Sequence, residues 1–219
     1  MNTAADEQLN EQQVADQIVA LGVSLFARSL TFGRTGNLSA KIGDDRILLT
    51  PTGVSLGNLD PDALSVIDST GRHLDGAKPS KEAFLHAAVY RSRPTAGAVV
   101  HLHSTHAVAV SCLADVDPAD VLPPLTAYYV MRVGRLPLLP YHAPGDTSLE
   151  ALAESTAVDH HSFLVANHGS VVAGADLSSA ADAAEELEET ARLFLLLRGH
   201  DTRPLSDDQV ADLHRRYPS

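Results

Sequence analysis

The chain has 219 residues, room for one large domain with a full core, and no break in composition divides it, so residues 1–219 read as a single domain. A formal net charge of −12 argues against a nucleic-acid surface and against attraction to anionic membranes, and no apolar run nears the length of a membrane span. The lone cysteine, Cys112, rules out an internal disulfide and is expected as a small buried apolar residue; with a polar, acidic N-terminal stretch unlike a signal peptide, the expected compartment is the cytoplasm.

From the N-terminus, Val14, Ile18, Leu21 and Leu25 recur at helical spacing and predict a helix over 8–30. The turn-rich stretch 32–37 breaks it. Short strands at 38–42 and 46–50, joined by Gly43-Asp44-Asp45, predict a hairpin that ends at Pro51-Thr52-Gly53. A strand is expected over 63–68, then a helix over 81–91 with Ser80 as its cap and Glu82 in its first turn. The apolar residues 98–100 run into His101 and His103 as a strand, followed by a small-residue helix over 104–113. Residues 115–147 are Pro-rich and read as irregular, and so long a loop in a compact domain is often functional. A helix over 149–160, strands at 163–167 and 171–173, and a long helix over 180–198, capped by Asp176 or Ser178 and stopped by Gly199, complete the chain. The acidic run 185–189 reads as the solvated side of that helix. Helices and strands mix without regular strand–helix–strand alternation, which points to an α/β chain of α+β type: a mainly antiparallel sheet with helices packed around it.

His101 and His103 are two residues apart on a predicted strand, so both side chains face one way, roughly 6.5–7 Å apart along the backbone. Two imidazoles on one face can grip a single metal ion. His168, in Asn167-His168-Gly169 after another apolar run, would complete three sides of a tetrahedron, and three histidines with one position open is a catalytic rather than a structural zinc arrangement. The chain holds 11 histidines, so the pair gains its weight from the segments that converge with it. Thr35-Gly36-Asn37 and Pro51-Thr52-Gly53 are small turns with backbone N–H groups and hydroxyls, and Ser80, with Lys81 beside it, opens a helix; together these suit a phosphate. Glu82 lies just beyond. His86 falls four residues after Glu82 on the same helical face, either supporting the site or hydrogen-bonded in the core.

Taken in order, T-G-N-L-S (35–39), L-L-T-P-T-G (48–53), G-A-K-P-S-K-E (76–82), A-V-V-H-L-H-S (98–104) and N-H-G (167–169) make the chain resemble the class II aldolase/adducin family, specifically its zinc-dependent sugar-phosphate lyases, over residues 10–200. The resemblance implies a central, mainly antiparallel sheet flanked by helices and a cyclic homotetramer with active sites between subunits. It makes His101, His103 and His168 the ligands of one zinc ion per subunit. Glu82 becomes the residue that takes or gives a proton and can also ligate zinc. Gly36, Asn37, Thr52, Gly53 and Ser80 match phosphate-binding positions. Lys81 departs from the aldolase pattern, where a second serine usually stands; it can strengthen phosphate binding, recognise a second anion or face solvent.

Within the family, ribulose-phosphate 4-epimerases usually carry aspartate where Glu82 stands, and non-catalytic adducin-like domains lack the histidine set. The stretch 123–146, together with P-S-K-E and H-L-H-S-T-H, looks most like the members that decarboxylate a 3-oxo-tetronate 4-phosphate, a phosphorylated four-carbon sugar acid, to dihydroxyacetone phosphate and CO2. The alternative is an aldolase resembling the L-fuculose-phosphate enzymes, which would expel an aldehyde from the same kind of intermediate. In either case zinc would serve as a Lewis acid and Glu82 would handle the proton. The group leaving from C1 is then recognised elsewhere, with Tyr128, Tyr129 and Arg132, reaching toward a neighbouring subunit, as candidates.

Overall fold

The computed structural model describes residues 4–217, with side chains from Glu11 onward; the first three residues of the polar N-terminal stretch and the last two of the chain lie outside the described residues. The strands are β1 (Asn37–Gly43), β2 (Arg46–Leu49), β3 (Ser65–Ile67), β4 (His73–Gly76), β5 (Ala98–Leu102), β6 (Leu138–Leu139), β7 (Ser162–Val165) and β8 (Gly169–Gly174). The helices are α1 (Ala4–Ala27), α2 (Ala83–Ser92), α3 (Thr105–Ser111), α4 (Ala127–Arg132), α5 (Glu150–Asp159), α6 (Leu177–Leu197) and α7 (Asp207–Arg216). One sheet runs β4-β3-β2-β1-β5-β8-β7-β6, antiparallel throughout except for β6 with β7, as the mixed pattern of elements led one to expect.

Alternation along β5, which is buried from end to end, sets the layers. Val100 and Leu102 join Leu38, Leu48 and Val172 against α1, α3 and α6, meeting Ile18, Leu25, Val110 and Leu187. Val99 joins Leu49, Ile67, Phe163 and Val171 on the other face, meeting Leu85, Val89 and Ala157 from α2 and α5. Each of these Val, Leu, Ile and Phe side chains contributes about 1.5–3 kcal/mol relative to exposure, so the sheet is held from both sides. Among the described residues no helix is long and apolar enough to cross a membrane.

Several elements differ from the sequence reading, each for a local reason. Helix α1 stops at Ala27 rather than 30 because Ser29 takes a left-handed φ of 62° and the Leu30 N–H turns back to the Leu25 carbonyl at 2.9 Å. Strand β4 was not expected: it is a short, exposed edge with no apolar run to mark it. The stretch 115–147 is not irregular throughout, since it contains α4 and the parallel strand β6. Helix α7 also escaped the reading. Of the two caps offered for α6, Asp176 is the one used, in a reciprocal capping box with Ser179. Helix α2 begins at Ala83, and Ser80 does not cap it; the Ser80 hydroxyl accepts from the Glu82 N–H at 3.3 Å in a turn before the helix.

Two residues are placed otherwise than expected. Cys112 is exposed, accepting a hydrogen bond from Asn167 Nδ2 at 3.3 Å. Glu188, within the acidic run read as solvated, is only 8% exposed; its carboxylate accepts the N–H groups of His106 at 3.0 Å and Ala107 at 2.8 Å. It thus caps α3 from a different helix, where Ser104 provides no side-chain cap.

The turn between β3 and β4 is built on Asp68, which accepts from the Thr70 hydroxyl at 2.6 Å, from the Thr70 and Arg72 N–H groups, and from Arg72 Nε at 2.9 Å. The Thr70 hydroxyl, against the opposing push of burial, and then Arg72 hold this carboxyl well below the usual carboxylate range. The stability it contributes is present above the unfolded pKa of about 3.9 and is lost as pH falls through the lower folded value. Asp68→Asn is expected to flatten the acid limb of melting temperature against pH below about pH 5. An acid limb identical to the wild type would show that this turn carries none of the acid sensitivity.

Candidate active site

Strand and helix periods coincide beneath α2. Positions 82, 86 and 90 are spaced by four, one face of a helix and its cap. Asn37 and Ser39 lie on one face of β1, and Asn37 is the register partner of His101 on β5. Because Val100 and Leu102 pack on the opposite side, His101 points toward α2, and His103, one residue past the strand end, continues on the same side. Glu82, at the N-cap of α2, makes no capping hydrogen bond; its carboxylate turns to the histidines instead.

His168 arrives from the turn between β7 and β8. Asn167 holds a left-handed φ of 57°, which asparagine tolerates better than most residues. At Gly169 a Cβ would stand 2.2 Å from the Leu102 carbonyl oxygen, so only glycine lets this turn close over β5. The N-H-G motif is therefore backbone geometry on either side of one chemical residue.

The three imidazole rings stand 4.6–5.1 Å apart between centroids. His101 Nε2 lies 3.1 Å from His103 Nε2 and 3.2 Å from Glu82 Oε2, while His168 Nε2 lies 3.0 Å from Glu82 Oε1. His101 Nδ1 donates to the Ser170 carbonyl at 2.8 Å, which leaves the Nε2 lone pair aimed into the cluster. One ligand atom from each of Glu82, His101, His103 and His168 falls within a set no more than 4.8 Å across. Neither nitrogen of His168 has a hydrogen bond although both are buried. A buried polar atom left so costs about 1–3 kcal/mol, and a cation between the four residues would remove that cost at the nitrogen facing the cluster. Three imidazoles and a carboxylate suit zinc or another first-row divalent ion.

The electrostatics agree with that use. Burial would push the Glu82 carboxyl up, but the proximity of the His101 and His168 rings and the hydrogen bond from the Asn37 amide hold it well below the usual carboxylate range. Burial, with the charges of His101 and His168, pushes His103 down to about 3, so its ring is neutral, as a ligand must be.

Beside the cluster is a cleft of about 280 Å³ lined by Gly36, Thr52, Gly53, Ser80, Lys81, Glu82 and His103. A Pro51–Pro79 bridge and a Thr52 N–H to Lys78 carbonyl bond of 3.0 Å bring the hairpin end against the approach to α2. The structure thus gathers every residue read from the sequence as a metal or phosphate candidate into one place. Asn37 differs in detail: both ends of its amide are engaged, by Glu82 and His86, so its side chain does not face a phosphate. Arg34 also lines the cleft and was not singled out from sequence, although it precedes Thr35-Gly36-Asn37 directly. Several other cations are tied to carboxylates, Arg28 to Glu185, Arg91 to Glu150 and Glu154, Arg46 to Glu11. Neither Arg34 nor Lys81 has a side-chain hydrogen bond or ion pair among the described residues.

The residues expected to recognise the C1 group are not in this cleft. Tyr129 is buried in the core, Tyr128 is exposed, and Arg132 lies over the Tyr128 ring and pairs with Asp182 at 3.4 Å in a separate cavity.

The family description "Class II Aldolase and Adducin N-terminal domain" matches residues 16–195. The 3-oxo-tetronate 4-phosphate decarboxylase of Haemophilus influenzae is 49% identical over 199 residues, 91% of this chain and 95% of that protein. Its namesake from Escherichia coli K12 is 45% identical, covering 93% and 96%. The L-fuculose phosphate aldolase of Escherichia coli K12 is 32% identical over 95% of this chain and 96% of its own length. The crystal structure of YgbL from Escherichia coli superposes with a TM-score of 0.90 at 44% identity, covering 93% of this chain and 98% of that one.

Proposed function

The chain belongs to the class II aldolase and adducin family, and on that premise we propose that its cleft decarboxylates a 3-oxo-tetronate 4-phosphate to dihydroxyacetone phosphate and CO2. The observation that carries this reading is the adjacency, in one cleft, of a three-histidine, one-carboxylate cluster and an anion cradle flanked by Arg34 and Lys81, unpaired among the described residues. The preference for decarboxylation over aldol cleavage rests on the greater identity to decarboxylase-named relatives, 49% and 45% against 32%.

The substrate is a β-keto acid with its carboxylate on C1, hydroxyl on C2, ketone on C3 and phosphate on C4. The C1–C2 bond breaks, CO2 departs, and the electron pair left on C2 delocalises into the C3 ketone. His101, His103, His168 and Glu82 would hold a divalent ion, which when bound would supply Lewis-acid stabilisation of that charge. The Ser80 hydroxyl, the turns at Gly36 and Gly53, Thr52, Arg34 and Lys81 hold the phosphate end and so fix which carbon faces the cluster. A water held against the Glu82 carboxylate gives its proton to C2, and a solvent proton neutralises the hydroxide left behind, which completes dihydroxyacetone phosphate. This reading takes zinc as the ion, the cytoplasm as the compartment, and a homotetramer with sites between subunits as the assembly.

The test uses purified, metal-loaded protein and substrate labelled at the carboxyl carbon. Labelled CO2 released in step with dihydroxyacetone phosphate, and lost in Glu82→Gln, supports the decarboxylase. Protein that holds its metal, releases no CO2 and cleaves ketose phosphates to an aldehyde would replace that reading with an aldolase.

A further inference from the structure

A buried chain of hydrogen bonds runs behind Glu82 into the core. Tyr90 OH lies 2.9 Å from Ser39 Oγ, which lies 2.6 Å from His86 Nδ1; His86 Nε2 bonds Asn37 Oδ1, and Asn37 Nδ2 lies 2.8 Å from Glu82 Oε2. Asn37, Ser39, His86 and Tyr90 are all buried, none more than 4% exposed.

The chemistry of these groups fixes where each hydrogen sits. A carboxylate only accepts, so the donor end of the Asn37 amide faces Glu82 and its oxygen faces His86. His86 Nε2 then carries the ring hydrogen, and Nδ1 accepts from the Ser39 hydroxyl, which accepts in turn from Tyr90. Every hydrogen points from Tyr90 toward Glu82. Turning the amide over would set Asn37 Oδ1 against the carboxylate, two acceptors with no hydrogen between them. Burial pushes the His86 ring down to about 3, so it has the single N–H that this arrangement needs. Polar side chains buried this deeply raise the energy of the fold unless every one is paired, and here every one is.

We propose that His86 is a positioning residue of the active site: its ring holds the Asn37 amide with the donor end toward Glu82, and the amide holds the Glu82 carboxylate in the orientation that serves the histidine cluster. His86 itself touches neither ion nor substrate. The proposal rests on the reading of the cluster as a metal centre, and not on which bond the enzyme breaks.

Three substitutions in the full chain test it, with zinc affinity measured by competition against a chromophoric chelator, alongside kcat, KM and the melting temperature of metal-free protein. His86→Leu removes both ring contacts. His86→Gln restores one donor and one acceptor. Asn37→Asp keeps the shape and the bond from His86 but presents an acceptor to Glu82. His86→Leu and Asn37→Asp are expected to weaken zinc binding by on the order of 10- to 100-fold and to lower kcat by a similar factor with KM little changed, and His86→Gln to recover most of both. A His86→Leu protein with a lower melting temperature but wild-type zinc affinity and kcat would overturn the proposal and leave His86 a packing residue. Should His86→Leu not fold, Asn37→Asp decides on the same zinc measurement, where wild-type affinity overturns it. Wild-type protein that binds no zinc or other divalent ion would instead remove the metal-centre reading, a result distinct from wild-type binding that the variants share.

Discussion

Replacing His103 or His101 with alanine is expected to abolish stoichiometric binding of a divalent ion and to lower kcat/KM by about a thousandfold or more. The magnitude follows from the charge stabilisation a Lewis acid provides, several kcal/mol, at about 1.4 kcal/mol per tenfold in rate. The two variants differ in what else they disturb. His101 is fully buried and donates to the Ser170 carbonyl, so His101→Ala also opens a cavity and removes that buried hydrogen bond. His103 is half-buried at the cleft, so His103→Ala should lose metal with a smaller change in the melting temperature of the metal-free protein. Metal content after exhaustive dialysis is the measurement. A full complement of ion in His103→Ala would strike His103 from the ligand set.

Removing the charge of Lys81 or Arg34, as Lys81→Met and Arg34→Met, is expected to raise KM for a phosphorylated substrate by about tenfold each while leaving kcat nearly unchanged. A charge-assisted hydrogen bond contributes about 1.5–3 kcal/mol, reduced here because both side chains are exposed and screened by salt. An interaction made equally in ground and transition states appears in KM alone. The wild-type KM should also rise with ionic strength, and less so in the double variant. A KM unmoved by Lys81→Met would return that lysine to solvent and leave the cradle to backbone groups and hydroxyls.

The convergence of the three histidines was legible in the sequence because its logic is local. H-x-H on an apolar strand puts two rings on one face whatever the rest of the fold does, and N-H-G stands out among apolar residues. Glu82 was found through Ser80 and Lys81 next to it, although the turn that ends at Ala83 differs from the simple cap expected there. What escaped depends on pairings distant in sequence. The carboxylate of Glu188 belongs to α3, and its neighbours on α6 gave no sign of that. The orientation of the Asn37 amide is decided by His86 and Glu82, residues on another element, so Asn37 alone suggested only a phosphate turn. Helix α4 and strand β6 hide between prolines, being too short for a periodic signal. Arg34 looked like an ordinary turn residue because exposure and the want of a carboxylate partner are properties of the folded chain.

The turn carrying His168 separates two kinds of constraint that usually overlap. Asn167 and Gly169 answer to the backbone, one by its left-handed φ, the other by the carbonyl that leaves no room for a Cβ. His168 answers to chemistry alone, and its unpaired nitrogens make it a burden to a chain that holds no cation. A descendant of this fold released from catalysis would gain stability by giving up the histidine and lose it by giving up either neighbour. Drift toward a purely structural or adhesive role should therefore leave N-x-G as a fossil of the active site after its middle residue has gone.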